Sequence, residues 1–265
     1  FQDQLMVAGG TYIFLLRVKI IFVVSRCAMI NPTRTLHISQ YNNGIITEVE
    51  DTTLSEYHLT LYVNGQLQNI FSCTPEHLEE LLLGYLLSEG IVKDLTQVEH
   101  INFSSDWSHA DVRVKLENRP SLVRDSAYVK SDAVFSVSAV IKQFERFIWA
   151  SRKRYKIGGM HCAALCDDQD ILLLVNDISR HNTIYKIVGM AYKQQIDLAS
   201  KYLIISARVP SDMAQKVINC GIPMLVARSI ATYEAVQVAR RCNLTLLGRI
   251  EDNRMKIYSG KQRLK

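Results

Sequence analysis

The second half of the chain alternates short apolar segments with amphipathic ones, and this alternation constrains the fold more than any other feature. Strands are predicted at 171–175, 202–206, 223–227 and 244–248, and helices at 138–152, 182–195, 211–220 and 231–242. Ser211 and Thr232 are the expected N-caps of the last two helices, and Gly221 is the expected end of the helix that Ser211 begins. Such alternation is typical of a layered α/β sandwich.

The preceding segment contains a strong hairpin signal. Residues 57–63 alternate between apolar and polar side chains, Asn64 and Gly65 supply a two-residue turn, and residues 66–73 return as a second strand. The sequence therefore predicts an antiparallel pair here.

A helix and a third strand are expected to complete this unit. Thr74 offers an N-cap and Pro75 a first-turn proline for a helix that stops at Gly90. A strand at 110–116 follows, and residues 117–136 are polar and small, as in a linker or a surface loop. We expect a small α+β domain at 29–136 and an α/β domain at 137–265.

Residues 1–28 contain an apolar stretch, 12–24, which Arg17 and Lys19 interrupt. It is too short and too charged for a membrane span, and its basic residues do not precede the apolar part as in a signal peptide. We interpret 1–28 as a non-native or disordered extension, with Met29 as the start of the working protein. An extra edge strand is the alternative.

Composition favours an anionic small ligand in a reducing compartment. The net charge is +5 and the pI is about 8.8, but the charges are dispersed, which does not favour a nucleic-acid partner. The six cysteines contain no CxxC pair, which indicates a cytoplasmic protein. They are Cys27, Cys73, Cys162, Cys166, Cys220 and Cys242.

Polar residues follow several predicted strands and are the candidate ligand-binding groups. Arg180, His181 and Asn182 begin a helix after one strand, and Ser206 and Arg208 follow the next. In open α/β sheets ligands bind at this edge, and a helix N-terminus with arginine favours an anion. A capping cluster with a surface arginine is the alternative for the first group.

Two further segments are candidates for the same cleft. Gly158 and Gly159 precede Met160 and His161, which allows backbone to approach a ligand, although a tight turn beside a structural histidine is the simpler interpretation. The polar segment 249–254 follows the last predicted strand and either borders the cleft or forms a solvated hairpin turn.

Cys162 is the one thiol beside an imidazole, that of His161, which would lower its pKa, but simple packing is the alternative. Cys73, Cys220 and Cys242 are expected to be small buried side chains. The sequence has no P-C-x-x-C pair of a zinc deaminase and no G-x-S-x-G elbow, so no metal site is predicted.

Several motifs together resemble the formate dehydrogenase accessory sulfurtransferase (FdhD) family. The matching segments are 73–90, 157–165, 177–182, 206–213, 221–223, 229–232 and 245–248. The resemblance implies a cytidine-deaminase-like layered α/β domain, a small N-terminal α+β domain and a homodimer. It also implies that sulfur passes from a cysteine desulfurase to the molybdenum bis-guanine-dinucleotide cofactor of formate dehydrogenase, which is bound as a substrate.

The resemblance places cofactor contacts in the segment after the last predicted strand, in addition to the five candidates above. The implied residues are Arg249, Ile250, Glu251, Asp252, Asn253 and Arg254, of which only Arg254 keeps the residue usual in the family.

The chain departs from the family most clearly in its thiols. Members carry sulfur on a C-x-x-C or C-C element in the loop after the 110–116 strand, and residues 117–138 contain no cysteine. Ser179 and Ala207 stand where glycine is usual, so their side chains are expected to fill space left for the ligand, and Tyr185 replaces an aspartate. We expect a sulfur carrier with Cys162 as a substitute thiol and His161 beside it. The alternatives are a degenerate member that binds a nucleotide or partner without sulfur transfer, and an unrelated activity on the same scaffold.

Overall fold

The computed structural model describes residues 6–8, 11–13, 31–115, 127–154 and 158–265. Near the N-terminus, β1 (Met6–Ala8) and β2 (Thr11–Ile13) pair with each other and with no larger sheet. Most of the predicted extension 1–28 lies outside the described residues. A long antiparallel hairpin follows, formed by β3 (Thr33–Asn42) and β4 (Ile45–Leu54).

A four-stranded sheet carries the predicted hairpin. Its strands are β5 (Tyr57–Val63), β6 (Gln66–Cys73), β7 (Val98–Phe103) and β8 (His109–Val114), in the order β6-β5-β8-β7. Asn64 and Gly65 both have positive φ, 50° and 78°, as the tight turn requires. The bounds of β5 and β6 are those predicted, and the third predicted strand begins at His109 and ends at Val114.

The first helix, α1 (Leu78–Ser88), packs its leucines on this sheet, as expected. The predicted N-cap is wrong, because the helix begins four residues after Thr74 and its N-cap is His77, at φ 55°. Thr74 is occupied elsewhere: its N–H and its hydroxyl each donate to Asp177 Oδ2, at 3.2 Å. Thr74 therefore makes a tertiary contact with Asp177 and does not cap α1.

The remaining elements form the larger sheet and its helices. They are α2 (Val137–Arg154), β9 (His161–Cys166), β10 (Ile171–Asp177), α3 (Arg180–Lys193), β11 (Tyr202–Ile205), α4 (Ser211–Asn219), β12 (Met224–Ala227), α5 (Tyr233–Arg241), β13 (Thr245–Glu251) and β14 (Arg254–Ser259).

The larger sheet has the strand order β10-β9-β11-β12-β13-β14, with β11, β12 and β13 parallel to one another. One core cluster lies between the sheet and α2, and another lies between the sheet and α3, α4 and α5. The predicted layered α/β fold is confirmed. Thr232 caps α5 by accepting from the N–H of Ala235, whereas Ser211 is the first residue of α4, after an N-cap at Pro210.

The two sheets are joined by close packing of α1 against α3. A Cβ at Gly84 would overlap the carbonyl of Tyr185, and one at Gly189 would overlap the carbonyl of Glu80. Glycine therefore lets the two helix backbones touch. The domain boundary after residue 136 stays a prediction, and much of the predicted loop 117–136 lies outside the described residues.

Candidate functional site

Most of the predicted site residues lie at one edge of the larger sheet, where its parallel strands end. Ser206 and Arg208 follow β11, and Arg249 lies near the end of β13. His161 begins β9 at the same edge, because it pairs with Asp177 at the end of β10. This edge is where ligands bind in open α/β sheets.

Ser206 lies at this edge directly after β11 and forms two hydrogen bonds with Cys162 of β9. Its N–H donates to the carbonyl of Cys162 at 2.9 Å, and its hydroxyl accepts from the Cys162 N–H at 2.8 Å. Arg208, two residues on, is exposed at the edge of the sheet.

The two histidines of the edge both have a pKa below the ordinary value for histidine. Burial lowers the pKa of His161, and the nearby Arg180 guanidinium lowers it further. Burial also lowers the pKa of His181, although Asp212 opposes that shift, with Oδ2 2.8 Å from His181 Nε2. The fixed positive charge of the edge therefore comes from arginine.

Arg180 is the first residue of α3, and its guanidinium is incompletely hydrogen-bonded. Its Nε is buried and has no hydrogen-bond partner. The first turn of α3 carries no acidic side chain, and the side chain of Ser179, its N-cap, makes no capping bond. Unpaired helix N–H groups beside an arginine attract an anion.

Asn182 does not belong to this site, and its prediction as a cofactor ligand is corrected. The side chain is buried, and its amide donates to the carbonyl of Ser72 at 2.8 Å and to Asp177 Oδ1 at 2.9 Å. It therefore connects the four-stranded sheet to α3 without capping that helix.

A buried ion pair lies at the same junction and was not foreseen from the sequence. Lys186 Nζ lies 2.5 Å from Asp177 Oδ2, and both side chains are 0% exposed. Lys186 also donates to the Thr74 hydroxyl at 2.8 Å and to its carbonyl at 3.1 Å. The only sequence signal was a lysine on an otherwise apolar stretch of helix.

The structure argues against Cys162 as an accessible thiol. Its side chain is 3% exposed and packs in the core beneath α2, with Phe147 and Ala164. Burial raises the pKa of the Cys166 thiol well above its usual range and that of Cys220 to about 12. Cys73 and Cys242 are buried as expected, Cys220 is partly exposed, and Cys27 lies outside the described residues.

The segment 249–254 is a hairpin turn that also lines a cavity. β13 ends at Glu251 and β14 begins at Arg254, with Asp252 and Asn253 at positive φ between them. Arg254 is exposed and lies 3.7 Å from Asp252. The hairpin-turn interpretation is therefore confirmed, and a role of this segment in ligand binding stays a prediction.

This cavity has a volume of about 580 Å³ and lies between the turn and α2. Ile250, Glu251, Asp252 and Asn253 form one wall, together with Arg228 after β12. Glu145 and Trp149 of α2 form part of the other. Arg228 was not predicted as a cavity residue from the sequence. The signal was present, because Arg228 directly follows an apolar strand, just as Arg208 comes soon after one.

The described residues lack two further features. No helix in the described ranges has the length and apolarity to cross a membrane. Nor do the described histidines, cysteines and carboxylates include three placed to share a metal ion.

Comparisons with known proteins give a consistent result. The model of the FdhD/NarQ family matches residues 54–133 and 112–265. The sulfur carrier protein FdhD of Listeria innocua is 31% identical over 252 residues, which is 86% of this chain and 97% of that protein. That of Bacillus subtilis is 27% identical over 258 residues, covering 88% and 98%.

A solved structure has the same fold. A putative formate dehydrogenase accessory protein from Desulfotalea psychrophila superposes with a TM-score of 0.77 at 17% identity, covering 89% of this chain and all of that one. With matches across both sheets, the chain belongs to the FdhD/NarQ family.

Proposed function

We propose that this chain is a sulfur carrier protein that serves a formate dehydrogenase, and that it binds the guanine nucleotide ends of the molybdenum bis-guanine-dinucleotide cofactor as its substrate. The observation that carries the proposal is the row of arginines along the carboxyl edge of the larger sheet. The relatives named above as sulfur carrier and accessory proteins support the biological role.

The edge suits a diphosphate. Arg180 has a buried Nε without a partner beside the N-terminus of α3, and Arg208 is exposed two residues after the Ser206 that closes β11. Guanidinium groups pair with phosphate oxygens through two parallel hydrogen bonds, and a helix N-terminus adds N–H donors. The neutral histidines, His161 and His181, add donors without adding charge.

The 580 Å³ cavity supplies space for a base at the far end of the same edge. It is lined by four of the six residues that the family resemblance assigns to the cofactor: Ile250, Glu251, Asp252 and Asn253. Drug-sized ligands occupy pockets of about 300–1,000 Å³, so a nucleobase fits within its size.

The sulfur route is proposed as transfer from a cysteine desulfurase to a thiolate of this chain and then to the cofactor. A transferring thiolate must be exposed and easily ionised. The burial of Cys162 favours a second candidate, in which the chain binds the cofactor or a partner without carrying sulfur itself. A homodimer in the cytoplasm, with formate dehydrogenase as partner, is part of the first proposal.

Calorimetry with GDP tests the binding part. Arg208→Ala should weaken GDP binding about tenfold, since a hydrogen bond to a charged group contributes about 1.5–3 kcal/mol. The matched control is Arg113→Ala, an exposed arginine of β8 in the other sheet. Equal affinities for both variants and the unchanged chain would exclude Arg208 from the site.

Peptide mapping tests the sulfur part. After incubation with a cysteine desulfurase and cysteine, one extra sulfur on a cysteine of the native chain supports the carrier role. A chain that binds GDP and gains no sulfur supports the second candidate. The Cys162→Ala variant shows whether that residue is the acceptor, because a carrier that uses another thiol keeps the added mass.

A further inference from the structure

The cavity beside the β13–β14 turn has chemically distinct walls. Trp149 of α2 is 48% exposed there, and Glu145 lies one helical turn earlier on the same face. Arg228 and Asn253 stand on the opposite wall. The cavity therefore offers an aromatic surface, a carboxylate, a guanidinium and an amide.

This combination matches guanine better than adenine. The Watson–Crick edge of guanine presents two adjacent donors, N1–H and the 2-amino group, which one carboxylate accepts together. Its other edge presents O6 and N7 as acceptors, which arginine recognises. Adenine places an acceptor at N1 and has no 2-amino group, so a carboxylate there would face a lone pair.

Of the three carboxylates that line the cavity, Glu145 is the one best placed for this task. Asp252 lies 3.7 Å from the Arg254 guanidinium, and Glu251 is opposite Arg254 in the β13–β14 ladder. Glu145 has no hydrogen bond or ion pair within the described part of the chain, and it borders a second, adjoining cavity of about 410 Å³ with Asn253.

We propose that Glu145 selects guanine by accepting from N1–H and the 2-amino group, and that Trp149 stacks on the base. The inference rests on the proposed function, because it assumes that a guanine nucleotide occupies this edge. It goes further in assigning base recognition to α2, which lies outside the segment that the family resemblance implicates.

The test compares GDP with IDP, which differs only in lacking the 2-amino group. Calorimetry on the full chain should show GDP binding about tenfold more tightly than IDP, because one hydrogen bond to a charged group is lost. Glu145→Gln should weaken GDP binding more than IDP binding and so reduce the preference for GDP, because a neutral amide has one acceptor oxygen and accepts weaker hydrogen bonds than a carboxylate. The matched control, Glu99→Gln, removes an exposed carboxylate of β7 and should leave the ratio unchanged.

A fluorescence measurement tests the stacking part. The chain has two tryptophans, and Trp107 lies against Phe103 in the other sheet, with ring centroids 4.4 Å apart. In a Trp107→Phe background Trp149 is the only tryptophan, and GDP should quench its emission. Trp149→Ala should weaken GDP and IDP binding to a similar extent.

The outcomes separate the inference from the proposed function. If GDP binds but Glu145→Gln keeps the full preference over IDP, the assignment of Glu145 is wrong and the nucleotide site stands. If GDP binds without quenching Trp149, the stacking assignment is wrong. If the unchanged chain binds no GDP at millimolar concentration, the proposed nucleotide site fails, and the inference fails with it.

Discussion

Replacing Lys186 with methionine removes the cation from a fully buried ion pair while keeping a side chain of similar length. The carboxylate of Asp177 would keep four hydrogen bonds, from the N–H and hydroxyl of Thr74, the N–H of Ser179 and the amide of Asn182. It would lose the contact with Lys186 at 2.5 Å, and Thr74 would no longer accept two hydrogen bonds from Lys186.

Breaking a buried ion pair by removing one partner costs about 3–5 kcal/mol, a large share of a total stability of about 5–15 kcal/mol. For a chain of this length the melting temperature should fall by about 10 °C. Urea denaturation followed by circular dichroism measures the free-energy change. The control is Lys115→Met, directly after β8, where Lys115 is 74% exposed and lies 3.6 Å from the exposed Glu99.

Exposed pairs contribute about 0–1 kcal/mol, so Lys115→Met should cost little. Combining Lys186→Met with Asp177→Asn should recover part of the loss, because the unpaired buried charge is then absent. Equal costs for the two lysine variants would refute the argument that burial of the pair gives it its importance.

Three further outcomes are expected. Gly84→Ala should lower the free energy of unfolding by about 1–3 kcal/mol, because its Cβ would overlap the carbonyl of Tyr185. Thermal melting should show this loss although alanine favours helix over glycine by about 1 kcal/mol. Thr232→Ala should cost about 1 kcal/mol through loss of the α5 cap, and Ser211→Ala much less, as measured by urea denaturation. Burial lowers the pKa of His161 below its unfolded value of about 6.5, so the free energy of unfolding should fall as the pH drops below about 6.5. His161→Gln should make that fall shallower in thermal melts taken from pH 7 to 5.

Hydrophobic periodicity in the sequence predicted the strands that have one buried face and one exposed face. The hairpin of β5 and β6 was found because its buried and exposed positions alternate and Asn64-Gly65 marks the turn. The β3–β4 hairpin has the same turn residues, Asn43 and Gly44, but its strands are exposed on most positions and carry no such alternation. Its existence could not be predicted from hydrophobic periodicity.

The candidate site likewise contains residues that could be predicted from the sequence and residues that could not. Arginines at strand ends could be predicted because the carboxyl ends of parallel strands must meet at one edge. The roles of Thr74, Asn182 and Lys186 could not, because each depends on a contact between the two sheets, about 100 residues apart in sequence. The contribution of α2 to the cavity likewise depends on how the layers pack.

The departures from the family pattern do not all bear on ligand binding. Tyr185 faces the junction: its ring packs edge-on against Tyr85 at 5.3 Å, and its hydroxyl donates to Glu89 at 2.5 Å. Ala207 is 8% exposed and packs in the core, and Ser179 has φ −108°, which any residue adopts. Neither Ala207 nor Ser179 needs the backbone freedom of glycine, and the side chain of Ala207 does not occupy the cleft. The substitution at Ala207 therefore leaves the carboxyl edge of the larger sheet open, while residues 117–138 contain no cysteine that could accept sulfur. The proposed cofactor binding and the proposed sulfur transfer thus depend on different parts of the chain, and a GDP titration and a persulfide measurement on the same sample test them separately.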